Sequence, residues 1–305
     1  MATAVAGAGR RRASPARRRQ ALVAWGLCVP FVALFTTFTA GPVLASLGMS
    51  FSDIRSADLQ TPLAVSPVGL ENYVQLLADD TFVKALLNTA YFVLVGVPLT
   101  MALALAAAVG LNRITRLRAF FRIGFYLPVV TSIVAVAVVW RFLLQPDTGI
   151  VNTVLGWVGV DGPNWLEDPT WAMPSLIAMA SWRNLGTLMV VFLAGLQTVP
   201  KDMLEAAEMD GAGAWRRFTG VVLPILRPTL LFGAVITTVG YLQFFEEPFV
   251  MTQGGPLDST LSMSYYVYNQ FGFGNYGYAS AVAYVLFVVI VAITAVQFRL
   301  LRERS

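Results

Sequence analysis

ALLNTAYFVLVGVPLTMALALAAAVGL, residues 85–111, runs for 27 positions without one Asp, Glu, Lys or Arg. A bilayer core asks for about 20 mostly apolar residues in a helix, so the stretch reads as a membrane span. Five more stretches share its character. One lies within 21–52, around Trp25 to Ser46. A third begins at Ile123 and reaches Trp140. A fourth lies within 172–197, interrupted by Arg183. The fifth covers Thr229 to Phe245 and the sixth Tyr278 to Phe298. Pro98 and Pro174 fall in or beside spans, which membrane helices tolerate better than soluble ones. The expected fold is all-α: a polytopic membrane protein of six transmembrane helices.

Composition supports this. Apolar residues make up 57% of the 305 and charged residues 12%, against roughly 45–50% and about 25% in a soluble chain. Too few polar groups remain to cover a soluble enzyme of this size or to keep a chain disordered. There is no histidine and one cysteine, Cys28. A disulfide framework and Ser-His-Asp or Cys-His catalysis are excluded, and no metal site is expected. Cys28, in an apolar run, reads as a small buried hydrophobe.

Charge position sets the orientation, because Lys and Arg concentrate in short cytoplasmic loops. Seventeen of the 21 basic residues fall in four alternate segments: the N-terminal tail, the second-to-third loop, the fourth-to-fifth loop and the C-terminal tail. The intervening segments hold only Arg55, Lys84, Arg141 and Arg183 but 12 of the 17 acids. Six spans with both termini cytoplasmic fit this alternation. Residues 1–20 read as a basic, disordered cytoplasmic tail, 21–298 as the transmembrane domain and 299–305 as a short cytoplasmic tail. Attraction to anionic membrane lipid accounts for the tail arginines without nucleic acid.

The fourth-to-fifth loop, about 198–228, differs from the others by mixing acids with its bases: Asp202, Glu205, Glu208 and Asp210. Pro200 suits a first helical turn, with Asp202 and Glu205 near its positive end. Ala206 and Ala207 leave one face small, and Gly211 permits a chain reversal. A second amphipathic stretch follows, with Trp215, Phe218, Val221 and Val222 on its apolar side, and Pro224 and Pro228 punctuate the entry to span five. The expectation is helix, glycine turn and helix at the membrane surface.

Glu205-Ala206-Ala207, then Gly211, Val221, Leu223 and Pro224, match the spacing of the EAA loop of ABC-importer permease subunits, with Val221 where isoleucine is commoner. Asp210-Gly211-Ala212 and Leu193-Ala194-Gly195-Leu196-Gln197 with Pro200 resemble the carbohydrate branch, the maltose- and glycerol-phosphate-type permeases. So do Gly69-Leu70-Glu71-Asn72-Tyr73, Asn88-Thr89 and Thr252-Gln253-Gly254-Gly255-Pro256. The resemblance covers roughly residues 20–300. It implies a bacterial plasma (inner) membrane protein whose loop residues Glu205, Ala206, Ala207, Asp210, Gly211, Leu223 and Pro224 form a coupling element on a cytoplasmic ATPase. It also implies two ATPase subunits, a second homologous permease and an extracytoplasmic solute-binding protein. ATP and Mg would be bound by the partner, with no cofactor in this chain. The residues agree: a phosphate-cradling Walker loop needs Gly-Lys-Ser or Gly-Lys-Thr, and the only lysines, Lys84 and Lys201, follow Val83 and Pro200.

A carbohydrate substrate would meet aromatic faces and hydrogen-bonding groups. Thr237, Tyr241, Phe244 and Glu247 fall at i, i+4, i+7 and i+10, one face of a helix, with Gln243 beside them. The resemblance favours Thr237, Tyr241 and Phe244, because the sugar site of maltose-type subunits draws on this span. The aromatics could equally pack between helices. Arg183, with Asn184, either lines the pathway, where it could meet an anionic substrate such as a sugar phosphate, or snorkels or pairs with Glu246 or Glu247. Tyr265, Tyr266, Tyr268, Tyr276 and Tyr278 read as an interfacial belt. Residues 141–171 read as a small folded cap. The alternative class is an ion-coupled secondary transporter, which commonly shows internal repeats and mid-span acids; neither is evident here. A membrane enzyme would need a catalytic constellation, and none appears.

Overall fold

The computed structural model describes residues 15–60, 65–114 and 116–302. Among these, apart from one isolated bridge between Ser52 and Pro67, all regular structure is helical. Helix α1 (Pro15–Phe35) passes through a π-helical turn (Thr36–Ala40) into α2 (Gly41–Ser50). After the short α3 (Glu71–Leu77) come α4 (Asp80–Arg113), α5 (Arg118–Val130), α6 (Ile133–Leu143), α7 (Ile150–Trp157) and α8 (Pro169–Gln197). Then follow α9 (Lys201–Met209), α10 (Ala214–Arg217), a second π turn (Phe218–Val222), α11 (Leu223–Leu242), α12 (Glu246–Met251), α13 (Met263–Gly272) and α14 (Tyr276–Arg302).

Five helical stretches are long and apolar enough to cross a membrane: Val23–Ser50, Asp80–Arg113, Pro169–Gln197, Ala214–Leu242 and Tyr276–Arg299. The third expected span, Ile123 to Trp140, is not one rod. It is α5 and α6 joined at Thr131–Ser132 and bent by 100°. Pro128 lacks the N–H that would continue the ladder, the Thr131 hydroxyl bonds back to the Leu127 carbonyl at 2.9 Å, and Ser132 adopts an extended ψ of 129°.

The two π turns share a cause. Each is followed by one residue and then proline: Gly41-Pro42 and Leu223-Pro224. Proline cannot donate to the carbonyl four residues back, so the residue before it reaches five back instead. The Gly41 N–H bonds the Thr36 carbonyl and the Leu223 N–H bonds the Phe218 carbonyl. The sequence after Gly213 therefore does not form a separate surface helix, as expected, but feeds through the π turn directly into the fifth span.

The hub is the pairing of α4 with α8, against which α11 packs. One buried cluster centres on Phe92, Leu176, Met179 and Tyr241, and another on Ala104, Ala108, Met189, Phe192 and Leu226. Small residues let these helices approach. At Gly186 of α8, a Cβ would lie 2.2 Å from the Phe125 carbonyl oxygen of α5. Three buried span hydroxyls are satisfied within their own helices: Thr89, Thr100 and Thr237 each donate to the carbonyl four residues back.

Two expectations toward the chain ends need correction. Helix α1 begins at Pro15 and α14 continues through Arg302, so parts of both tails are helical; 1–14 and 303–305 lie outside the described residues. Cys28 is exposed, not buried; among the described residues the main contact of α1 is with the π turn that continues it into α2. Residues 141–171 do fold as a small cap: they carry α7, held when Asn152 accepts from Trp165 Nε1 at 2.6 Å and donates to the Pro146 carbonyl at 3.0 Å.

Candidate functional site

Two features carry the residues singled out from the sequence. The first is α9 and its turn. Pro200, extended at ψ 131°, precedes the helix. The last turn closes when the Gly211 N–H donates to the Glu208 carbonyl and the Ala212 N–H to the Ala207 carbonyl, both at 2.9 Å. Gly211 sits at φ +78°, a left-handed conformation that a side chain resists. Arg217 then reaches back to form an ion pair with Glu208, bracing α9 against the chain that follows. Glu205, Ala206, Asp210 and Gly211 are exposed and Ala207 is half-buried. Met203, Met209 and Trp215 add exposed apolar area. Leu223 and Pro224 do not share this surface. They lie beyond the π turn, half-buried, where Pro224 shapes the entry into α11.

The second feature is a cavity of about 280 Å³ between α8 and the α11–α12 junction. All seven residues expected along the pathway line it: Arg183, Asn184, Thr237, Tyr241, Gln243, Phe244 and Glu247. The route to this convergence differs from the one expected. Helix α11 ends at Leu242, Gln243 caps it, and Glu246 opens α12. Thr237 and Tyr241 thus share a helix face, whereas Phe244 and Glu247 reach the cavity from beyond a break.

Packing occupies the aromatic groups. Phe244, 3% exposed, stacks on Phe92 at 3.9 Å between centroids with the planes 4° apart, and Tyr241 meets the same ring edge-on at 4.9 Å. The Tyr241 hydroxyl hydrogen-bonds Thr100 Oγ1 at 2.8 Å, which also lies 2.7 Å from the Gly96 carbonyl and 2.9 Å from Ser181 Oγ. Arg183 is the 15th of the 29 residues of α8, at mid-helix rather than near an end. It forms no ion pair with Glu246 or Glu247; among the described residues the one ion pair is Arg217–Glu208.

Sequence reasoning missed three contributors. Thr187 lines the cavity one turn after Arg183, a position that its i+4 spacing signals. Phe92 supplies the stacking partner from α4, which no local pattern announces. The third is Asp79, the N-cap of α4, whose Oδ1 accepts from the N–H groups of Thr81 and Phe82 at 2.9 and 3.3 Å. Its Oδ2 accepts from Tyr278 at 2.6 Å and from Tyr266. Burial works against the charged carboxylate, but these four hydrogen bonds outweigh it and hold its pKa below the ordinary value. Burial, and then donation to Asp79, pushes the Tyr266 phenol up to about 12. Tyr265 and Tyr266 are therefore buried members of a packed cluster and not an exposed belt; Tyr268 remains half-exposed.

A polytopic helical bundle with an exposed helix–glycine turn and a polar cavity between spans defines a membrane transport subunit. Residues 96–304 match the family described as binding-protein-dependent transport system inner membrane component, and the chain belongs to that family. It is therefore a multi-pass inner-membrane permease component, not a catalytic subunit, and the ion-coupled alternative is set aside. It is 38% identical over 299 residues to the probable ABC transporter permease protein YesP of Bacillus subtilis (strain 168), covering 96% of this chain and 94% of that one. It is 37% identical over 289 residues to the lactose transport system permease protein LacF of Rhizobium radiobacter, covering 92% and 94%. Among solved structures, a bacterial ABC transporter involved in import of the acidic polysaccharide alginate contains a chain that superposes with TM-score 0.77. The identity is 26%, over 94% of this chain and 97% of that one.

Proposed function

We propose that this chain forms half of the translocation pathway of an ATP-driven carbohydrate importer and transmits the work of a separate ATPase through α9. The observation that carries the reading is the exposed Glu205–Gly211 element, braced by Arg217 and closed by a left-handed glycine. Relatives named for lactose and other sugars support a carbohydrate substrate. In this reading α5 and α6 together make the third of six spans, both termini are cytoplasmic, and residues 21–298 form the permease domain. Two ATPase subunits bind ATP and Mg, a second permease completes the pathway, and an extracytoplasmic binding protein delivers the sugar. Glu205, Ala206, Ala207, Asp210 and Gly211 face the ATPase; Leu223 and Pro224 set the angle at which α11 leaves it. Arg183, Asn184, Thr237, Tyr241, Gln243, Phe244 and Glu247 line the sugar route.

The test is co-purification with the ATPase subunit together with sugar uptake. Wild type brings down the ATPase, and Gly211→Val, which forces a β-branched residue to φ +78°, loses both the ATPase and uptake. Uptake that survives loss of the ATPase but collapses with an uncoupler sinks the reading.

A further inference from the structure

A second cavity, of about 190 Å³, lies where three membrane-crossing stretches end together. Arg113 closes the stretch Asp80–Arg113, Leu196 stands one residue before the end of Pro169–Gln197, and Ala214 opens Ala214–Leu242. Apolar helices cover the hydrocarbon and end at the headgroup layer, so the cavity sits at that depth. None of the residues proposed to line the sugar route belongs to it. Its lining divides by polarity. Leu196 is buried, and Val109, Phe218 and Val222 are half-buried. The polar groups come from Asn112 and Arg113, both exposed, and from Arg217, half-buried. Two guanidinium groups thus share one small cavity. Among the described residues only Arg217 has a carboxylate partner, Glu208, whose side chain is 65% exposed. An ion pair so open to solvent is held weakly.

We propose that this cavity binds one anionic phospholipid, its phosphodiester between Arg113 and Arg217 and the start of an acyl chain along Val109, Phe218 and Val222. Arginine presents paired N–H donors in the geometry that phosphate oxygens accept, and two arginines against one exposed carboxylate leave the cavity short of negative charge. The apolar half of the lining selects the source of that charge. A soluble phosphate satisfies the arginines but covers none of the apolar wall, whereas a lipid does both. The phosphate also lies at the depth where the three stretches end. As it takes Arg217, it displaces Glu208, so an occupied site loosens the ion pair that braces α9. The site itself rests on the membrane-spanning fold and not on the cargo; only its link to transport rests on the role proposed for α9.

The experiment uses the full-length protein, solubilised in detergent as it is expressed, stripped of lipid and titrated with dioleoyl phosphatidylglycerol or dioleoyl phosphatidylcholine. Native mass spectrometry reads the fraction that carries lipid. The first phosphatidylglycerol binds at least about fivefold more tightly than the first phosphatidylcholine, the scale of one arginine facing an anionic membrane surface. Arg113→Gln, at an exposed position, keeps the thermal midpoint and removes most of that preference; Arg217→Gln removes it too. Arg299→Gln, near the end of α14 and outside the cavity, leaves it unchanged. Glu208→Gln frees Arg217 and tightens phosphatidylglycerol about threefold, whereas Asp202→Asn, an acid of α9 outside the ion pair, does not. A wild-type protein that binds the two lipids equally overturns the site. So does Arg299→Gln weakening phosphatidylglycerol as much as Arg113→Gln, because the basic surface at large then holds the lipid. Displacement of phosphatidylglycerol by an excess of soluble glycerol phosphate overturns the lipid as ligand, and Glu208→Gln without effect overturns the exchange at Arg217. Co-purification of the ATPase decides separately whether the chain is an importer subunit.

Discussion

Replacing Gly186 with alanine adds one methyl group where α8 meets the backbone of α5. The added Cβ would lie 2.2 Å from the Phe125 carbonyl oxygen, 3.0 Å from its carbonyl carbon and 3.0 Å from the Tyr126 Cα. An ordinary contact needs about 3.5 Å, so α5 must move away from α8 by roughly 1 Å. All three obstructing atoms are backbone, and no rotamer change relieves them. Overpacking of this kind costs typically 1–3 kcal/mol, and the absence of an escape puts Gly186→Ala at the upper end, about 3 kcal/mol. Against this stands the gain from replacing glycine inside a helix, about 1 kcal/mol, for a net loss of about 2 kcal/mol. Gly110, inside α4, is the control, because a Cβ there meets nothing within 4 Å. Gly110→Ala should keep the helix gain alone. The assay is thermal stability of the detergent-solubilised protein, read as the fraction remaining monodisperse after heating. Gly186→Ala should shift the midpoint down and Gly110→Ala should leave it unchanged or raise it. Equal shifts in the same direction would refute the reasoning, because propensity alone would then govern both sites.

Tyr241→Phe removes a hydroxyl that hydrogen-bonds Thr100. It should cost about 1 kcal/mol while keeping the stack on Phe92, so uptake changes less than for Tyr241→Ala in a side-by-side transport assay. Asp79 has a folded-state pKa below its ordinary 3.8; its stabilising effect is complete above that pH and is lost as pH falls through the lowered value. Asp79→Asn should therefore flatten the fall of thermal midpoint with acid below about pH 3.8 and lower the midpoint at pH 7. Arg183→Ala should abolish sugar uptake with normal membrane insertion; unchanged uptake would remove Arg183 from the pathway. Glu208→Ala, by releasing Arg217, should weaken co-purification of the ATPase less than Gly211→Val does, since only the glycine sets the chain reversal.

Most of the spans could be read from local composition because a bilayer makes length and charge decisive. Residues 85–111 fall inside one continuous helix, as their composition requires. What could not be read locally were the interruptions. The break at Thr131–Ser132 turns on where a side-chain hydroxyl and a proline redirect the backbone. The break after Leu242 is flanked by Gly240 and Pro248, but neither fixes where the helix stops. The grouping of Thr237, Tyr241, Phe244 and Glu247 was anticipated through a helix that stops short, so the residues were right and the geometry joining them was not. Phe92 and Asp79 escaped notice because their partners lie far along the chain: Phe244 for the first, Tyr266 and Tyr278 for the second. Gly211 was legible because a left-handed turn demands that residue type regardless of tertiary context.

The break between α11 and α12 divides the cavity wall into two leaves. Tyr241 rides on one leaf and Glu247 on the other, while Phe244 sits at the joint. Two contacts fix that joint: the stack on Phe92, worth about 1 kcal/mol beyond its buried area, and the hydrogen bond from Ser262 Oγ to the Phe244 carbonyl at 2.7 Å, worth about 1 kcal/mol. Together these contacts favour the observed placement of Phe244 by about 2 kcal/mol, roughly thirtyfold over an arrangement that loses both.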